Sequence, residues 1–360
     1  MPDALSPRHL TARLAQIALV VGVGLLLLAA LPGLGEVRAR LAGAQPIWIV
    51  ASLLLELGSV AAFVVVFRGV FCRRMPWGLS AQLGLSEQAA NVLLPAGGAG
   101  GLALGAWALS RLGMAGGQIA RRTVAFFLIT SSMNFFCIVA AGTLVLAGVL
   151  PGDASVAAAA IRSGLALLTI IGVLALPRVL PGRPEAPVGG DRLARLRHSA
   201  AHVGATVADG VRDAVGLLRA GRIGVIAGAL GYLAFDIAAL EAAFQAFGSS
   251  PQAGDFLLAY VIGQLGGLVP VPGGIGGTDG GLVAALTLYG TPLTHATAAV
   301  LAYRAFQLGV PALAGTVAFA QLRRTLARES RGQDAAGQAM AGGVAMAAAS
   351  SPSSSGRYSR

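Results

Sequence analysis

Lysine is absent from the chain, so all 26 of its basic residues are arginine. Charge of either sign is scarce as well. Only 11% of the 360 residues are Asp, Glu, Lys or Arg, against about a quarter in soluble domains. That scarcity excludes a soluble fold, which needs more polar surface than this sequence can supply. Cys72 and Cys137 are the two cysteines, with no C-x-x-C spacing, and they give no support to a disulfide framework. Also missing are a paired nucleophile and base, a metal-ligating cluster, and a glycine loop that follows a strand and ends in G-K-[ST]. The chain is therefore expected not to be an enzyme and to need neither metal nor cofactor. The net charge of +11 suggests nucleic acid. The arginines, however, sit mostly between apolar runs, which points to orientation in a membrane and contact with lipid instead.

What the sequence has in abundance is apolar length. It is 56% hydrophobic with a mean hydropathy of +0.75, and several runs exceed the roughly 18 residues needed to cross a bilayer. The predicted fold is an all-α integral membrane protein with about six full spans and two Pro/Gly-broken helical hairpins. The full spans are 14–31, 47–67, 123–149, a run ending near 176, 223–247 and 296–321. The first follows Arg8 and Arg13 like a signal peptide, yet it is long and lacks a clean A-x-A site, so it is read as a retained helix. Residues 1–13 form an N-terminal segment, 14–325 the membrane domain, and 326–360 an Ala/Gly/Ser-rich tail expected to be disordered. Within the basic loop 177–222, Leu193, Leu196, Val203, Val207, Val211 and Leu218 have a spacing compatible with an amphipathic helix. Such a helix could lie on anionic inner-leaflet lipids or serve as a solvated linker.

Two apolar stretches are interrupted. Residues 79–110 are cut by Pro95-Ala96-Gly97-Gly98-Ala99-Gly100-Gly101, and 256–288 by Pro270-Val271-Pro272-Gly273-Gly274-Ile275-Gly276-Gly277. Each interruption is followed at similar spacing by a further glycine, Gly113 and Gly290. Proline and clustered glycine unwind a helix, and unpaired backbone in hydrocarbon costs several kcal/mol per group unless protein or water meets it. The freed N–H groups at the start of the next half-helix suit an anionic headgroup. Close helix packing is the competing use of such glycines. Placing the arginine-rich segments in the cytoplasm puts both termini inside and makes the two broken units enter from opposite faces. Paired broken helices of this kind mark transporter sites near the bilayer midplane.

Intramembrane charge narrows the candidates. Arg304 lies about a third of the way into the last span, where a charge costs on the order of 3 kcal/mol even on lenient insertion scales. Its possible partners are Glu56, Asp236, Glu241 and Asp279. It can engage a lipid phosphate, switch between acidic partners, or form a static salt bridge. Asp279 follows Thr278 at a half-helix start, where a cap is its expected role. Glu87 and Asn91 are four apart and share a helix face, turned to a cavity or to a neighbouring helix. His295 begins a helix beside Thr294 and reads as an interface residue.

The motifs also resemble a known family. Pro272-Gly273-Gly274-Ile275-Gly276-Gly277-Thr278-Asp279, then Gly290, Tyr303-Arg304 and Pro311-Ala312-Leu313-Ala314-Gly315, resemble the signature of the lysylphosphatidylglycerol synthase membrane-region, or flippase-like, family. Asn91 to Gly98 and Arg111-Leu112-Gly113 are similar to its upstream motif. The resemblance implies a multi-pass bacterial inner-membrane protein whose relatives move aminoacylated phospholipid or accompany lipid-linked glycan synthesis. The implied partners are phospholipid, a polyprenyl-linked lipid, and a glycosyltransferase or lipid-modifying enzyme. Asp279 stands where the family usually has Glu, and the soluble aminoacyl-transferase domain is not seen, so lipid aminoacylation is not expected. The expected function is lipid or lipid-linked-intermediate translocation. Taken with the broken segments and the intramembrane charges, the candidate binding residues are Pro95, Gly97, Gly98, Gly100, Gly101, Pro272, Gly273, Gly274, Gly276, Gly277, Asp279, Arg304, Asn91 and Glu87, with Glu56, Asp236 and Glu241 as coupling or counter-ion candidates. Transport of a small anionic solute, and a non-transporting role beside another enzyme, are the alternatives.

Overall fold

The computed structural model describes residues 35–71, 73–94, 99–150, 156–180, 192–264, 266 and 276–349. Among them the chain is helical throughout: α1 (Gly35–Ala42), α2 (Pro46–Phe71), α3 (Trp77–Leu93), α4 (Ala99–Arg111), α5 (Gly116–Leu146), α6 (Val156–Val179), α7 (Arg192–Arg219), α8 (Ile223–Gln245), α9 (Ala253–Gln264), α10 (Gly277–Leu288) and α11 (Leu293–Ala349). Five are long and apolar enough to cross a membrane: Pro46–Phe71, Gly116–Leu146, Ala160–Val179, Ile223–Gln245 and Leu293–Arg328. They correspond to five of the six predicted spans. The remaining one, 14–31, lies outside the described residues, as does the 1–13 segment.

Helices α2 and α8 form the central seam, and small residues make it close. The Ser52 hydroxyl donates to the Ala239 carbonyl at 2.8 Å and the Ser59 hydroxyl to Tyr232 at 3.1 Å. A Cβ on Gly228 would stand 2.7 Å from the Val66 nitrogen. Residue numbers that rise on one helix as they fall on the other make the pair antiparallel. Small side chains are what let membrane helices approach so nearly, since lipid tails offer no hydrophobic drive for association.

The short helices come in two antiparallel pairs. In the α3–α4 pair the Gly101 N–H donates to the Asn91 side-chain oxygen at 2.9 Å, and Gly105 lies against Glu87. In the α9–α10 pair, Gly263 faces Leu282 and Gly281, while Gly266 faces Gly277. The 12-residue arms of α9 and α10 are about 18 Å long, well short of the ~30 Å hydrocarbon core. The first pair follows α2 and is entered from its C-terminal end. The second follows α8, whose end meets the start of α2 through the Gln45 N–H to Ala246 carbonyl bond of 2.8 Å. The two pairs are therefore entered from opposite ends of the bundle.

Both pairs also finish alike. Gly113 has φ +85° and Gly290 φ +84°, a left-handed conformation that glycine adopts without strain. Met114 N–H reaches Leu109 O at 3.1 Å and Gly113 N–H reaches Ser110 O at 3.1 Å; Thr291 to Leu286 (3.1 Å) and Gly290 to Thr287 (3.0 Å) repeat the pattern. These are two Schellman ends, and they explain the recurrence of a glycine after each interruption.

Gly100 and Gly101 depart from the sequence expectation. They lie inside α4, so they are packing residues, not unwound ones. A Cβ on Gly101 would fall 2.2 Å from Asn91 Oδ1, and one on Gly100 would fall 2.9 Å from the Ala90 carbonyl oxygen. Helix α11 packs on α3 with the same economy of space: a Cβ on Gly315 would sit 2.1 Å from the Leu85 carbonyl oxygen. Gly315→Val is expected to destabilise the fold by about 1–3 kcal/mol through overpacking, read as a lower thermal midpoint in detergent.

Two further expectations change. Helix α11 runs on to Ala349, into the 326–360 tail expected to be disordered. Ala, Arg, Glu and Gln are good helix formers, and extending an existing helix needs no new nucleus. In α7 the buried stripe is Ala205, Ala208, Val211, Ala214 and Leu217, whereas Leu196 and Val203 are exposed. That stripe packs against α5, where a Cβ on Gly210 would meet Val124 at 2.4 Å. The small residues, which an apolar-spacing count passes over, set the contact face.

The arginine-rich end uses its charges locally. The Arg122 guanidinium donates to Val70 O at 2.9 Å and that of Arg222 to Gly69 O at 3.4 Å. These carbonyls belong to the last turn of α2, which has no intrahelical donors for them. Arg68 donates to Met75 O at 2.8 Å and stacks over Trp77 at 4.2 Å.

Candidate functional site: a buried polar network on α8, α10 and α11

The apolar cluster of α8, α9, α10 and α11, which includes Leu240, Phe244, Phe256, Leu282 and Val300, surrounds a polar chain of side chains. Asp236, 7% exposed on α8, accepts a hydrogen bond from the Tyr260 hydroxyl. It also accepts from the Tyr303 hydroxyl at 2.9 Å and from the Gln307 amide at 3.1 Å. Gln307 in turn donates to Tyr303 and accepts from Arg304 Nη1. Arg304 Nε completes the line with an ion pair to Asp279. Three donors converge on Asp236 from α9 and α11, so a carboxylate that would be costly in hydrocarbon is met by hydrogen bonds.

The second break is fixed to this network. Gly276 has φ +86°, and its N–H donates to Asp279 Oδ2 at 2.8 Å. Asp279 thus caps the start of α10 with one oxygen and pairs with Arg304 through the other, which joins two of its expected roles. The α10 N-terminus carries the positive end of its dipole, so a carboxylate is well placed there. Pro272, Gly273 and Gly274 lie outside the described residues, while Gly276 caps α10 and Gly277 is its first residue.

Of the proposed partners of Arg304, Asp279 is the direct one. Glu56 on α2 is close enough to feel the charges of both Asp236 and Arg304. It is 3% exposed, and its Oε2 has no hydrogen-bond partner among the described residues. Glu241 is not brought to the network. It accepts from the Gln245 amide at 3.0 Å and from the Ser250 hydroxyl, at the far end of α8.

The first break is built differently. Asn91 and Glu87 face α4, with Asn91 meeting the α4 N-terminus at Gly101; Pro95, Gly97 and Gly98 lie outside the described residues. Glu87 is buried at 3% exposure beside Gly105. Asn91→Ala removes the side-chain acceptor for an otherwise orphan helix N–H. It is expected to cost about 1 kcal/mol, measured by thermal denaturation.

Tyr260 and Gln307 were absent from the sequence candidates. Gln307 had a usable signal, since it lies three residues after Arg304 and four after Tyr303 and so shares their face. Tyr260 had none, because only the α9–α10 fold carries it to Asp236. Near the arginine-rich end, a cavity of about 620 Å³ runs along Arg323, Arg324 and Arg328.

Several spanning helices around a buried, hydrogen-bonded charge network define a multi-pass membrane protein. Residues 14–315 match the model of the family described as the lysylphosphatidylglycerol synthase TM region, and the chain belongs to that family. No curated protein matches the chain significantly.

Proposed function

We propose that the chain moves a phospholipid or polyprenyl-linked lipid across the bacterial inner membrane. The two broken hairpins act as re-entrant segments dipping from opposite faces and engage the headgroup. The arginine-rich end is cytoplasmic, as the positive-inside rule favours, which puts both termini inside. Family membership supports a lipid-related role.

One observation carries the proposal: Arg304 and Asp279 meet at the start of α10, immediately after the second break. A lipid phosphate is a bidentate acceptor like a carboxylate. It can exchange with Asp279 on Arg304 while the α10 N-terminus faces it. The intramembrane ion pair is thereby the resting partner of a site that accepts an anionic headgroup in transit. No bond in the lipid is made or broken, and no cofactor is needed.

The test is a headgroup-resolved translocation assay in proteoliposomes, with protein-free vesicles as the reference. Protein-dependent movement of one or more labelled lipids is expected, with the lipid recovered chemically unchanged. Movement of a soluble anion without lipid would turn the assignment to solute transport, for which Glu56 beside Asp236 is the candidate coupling group. Movement of neither would leave the role of a membrane partner to a glycosyltransferase or lipid-modifying enzyme.

A further inference from the structure

Towards its arginine-rich end, the spanning part of α11 has two unlike faces. On the inner face Phe319 and Leu322 are buried, and Leu326 packs against the apolar cluster that holds Phe67 and Val70 of α2. The Thr325 hydroxyl there donates to the Gln82 side-chain oxygen of α3 at 3.2 Å. At 3.6 residues per turn, Leu313, Val317, Ala320, Arg324, Ala327 and Arg328 form a stripe on the outer face. Leu313 is 71% exposed and Val317 60%, and the other four are exposed as well. The cavity of about 620 Å³ opens beside the arginine part of this stripe, where Arg323 joins Arg324 and Arg328 around Ala320 and Ala327.

The stripe has the layout of a phospholipid. A rise of 1.5 Å per residue sets Leu313 about 16 Å from Arg324 along the axis, close to half of the ~30 Å hydrocarbon core. An acyl chain can thus follow Val317 and Leu313 through the depth of one leaflet while its head meets the arginines. The small side chains of Ala320 and Ala327 leave room for that head between the guanidiniums.

Charge selects the kind of lipid. Arginine holds phosphate through a planar fork of donors, and no acidic residue lines the cavity among the described residues. Three guanidiniums favour a head of net negative charge over a zwitterionic one, whose cationic group they repel. Because the apolar part of the stripe lies within the hydrocarbon, the ligand that fits its whole length is one already in the bilayer.

We propose that this stripe binds one anionic phospholipid of the adjoining leaflet, its phosphate on Arg323, Arg324 and Arg328 and an acyl chain along Val317 and Leu313. The lipid is a fixed partner of α11 and not the cargo. Arg304 lies on the opposite side of the helix from Leu313, held to Asp279, so occupancy of the stripe does not depend on translocation.

The test is native mass spectrometry of the full chain in detergent micelles, titrated with dioleoylphosphatidic acid or dioleoylphosphatidylcholine. Glycerol 3-phosphate, the phosphatidic acid head without its chains, serves as the soluble competitor. Phosphatidic acid is expected to bind about tenfold more tightly than phosphatidylcholine and to stay bound in excess glycerol 3-phosphate. Arg324→Gln with Arg328→Gln should weaken the first phosphatidic acid bound by about tenfold. Arg324→Lys with Arg328→Lys keeps the charge and should retain most of the binding. Arg73→Gln with Arg74→Gln removes two exposed arginines elsewhere at the same end and should change it by less than about twofold. An equal loss in the Arg73 and Arg74 pair would reduce the effect to diffuse charge. Displacement by glycerol 3-phosphate would assign the arginines to a soluble phosphate, and equal binding of the two lipids would leave them without a selected one. Each of these three results overturns the proposal.

Discussion

Arg304→Ala is expected to lower lipid movement in proteoliposomes about ten- to hundredfold while the helical fold persists. The estimate follows from one charge-assisted contact, about 1.5–3 kcal/mol, at 1.4 kcal/mol per factor of ten. Removing the guanidinium also strands Asp279 and Gln307, which it joins, so instability could mimic a lost function. Arg304→Ala with Asp279→Ala separates the two effects, because it removes the stranded carboxylate as well. The double variant should recover thermal stability and remain inactive in transport. Arg304→Lys keeps the charge but loses the planar fork, and is expected to fall between wild type and alanine. Full transport by a stably folded Arg304→Ala protein would remove this residue from the mechanism.

The second large effect concerns stability. Asp236→Ala would leave the Tyr260 and Tyr303 hydroxyls and the Gln307 amide without their shared acceptor. At about 1–3 kcal/mol for each unsatisfied buried group, and with the groups coupled, the loss should be on the order of 3 kcal/mol or more. Asp236→Asn retains the shape and one acceptor oxygen, so about half that loss is expected. The measurement is the thermal or denaturant midpoint in detergent. Adding Tyr303→Phe to Asp236→Ala removes one orphan donor and should recover part of the loss, giving a double-mutant cycle its sign. An Asp236→Ala protein as stable as wild type would mean that the network is held by something other than this carboxylate.

The sequence conveyed the membrane class because hydropathy integrates over whole spans and needs no partner. The two like helix ends were legible as well, because Gly113 and Gly290 recur at similar spacing after the two interruptions and both adopt positive φ. Arg304 and Asp279 could be singled out because charge inside an apolar run is rare and expensive. What the sequence could not convey was pairing. Glu241 and Asp236 are five residues apart on one helix, yet they face different ends of the fold, since five positions advance the chain by about 7.5 Å and turn it by more than one revolution. Gly100 and Gly101 read as a break but serve close packing, because glycine satisfies both needs and only the neighbouring Asn91 and Ala90 tell them apart. The contact face of α7 was missed because its alanines score low on any search for large apolar residues.

The arginines that close the last turn of α2 bear on how the chain's orientation can be measured. Charge-swap mapping assumes that a basic residue near a span acts only through its sign. Arg122 and Arg222 also bond the carbonyls of Val70 and Gly69, so neutralising either one would fray a spanning helix and could pass for a change of sidedness. Arg73, Arg74, Arg324 and Arg328 are exposed and offer cleaner reporters, because altering them changes the local charge without unfastening the end of α2.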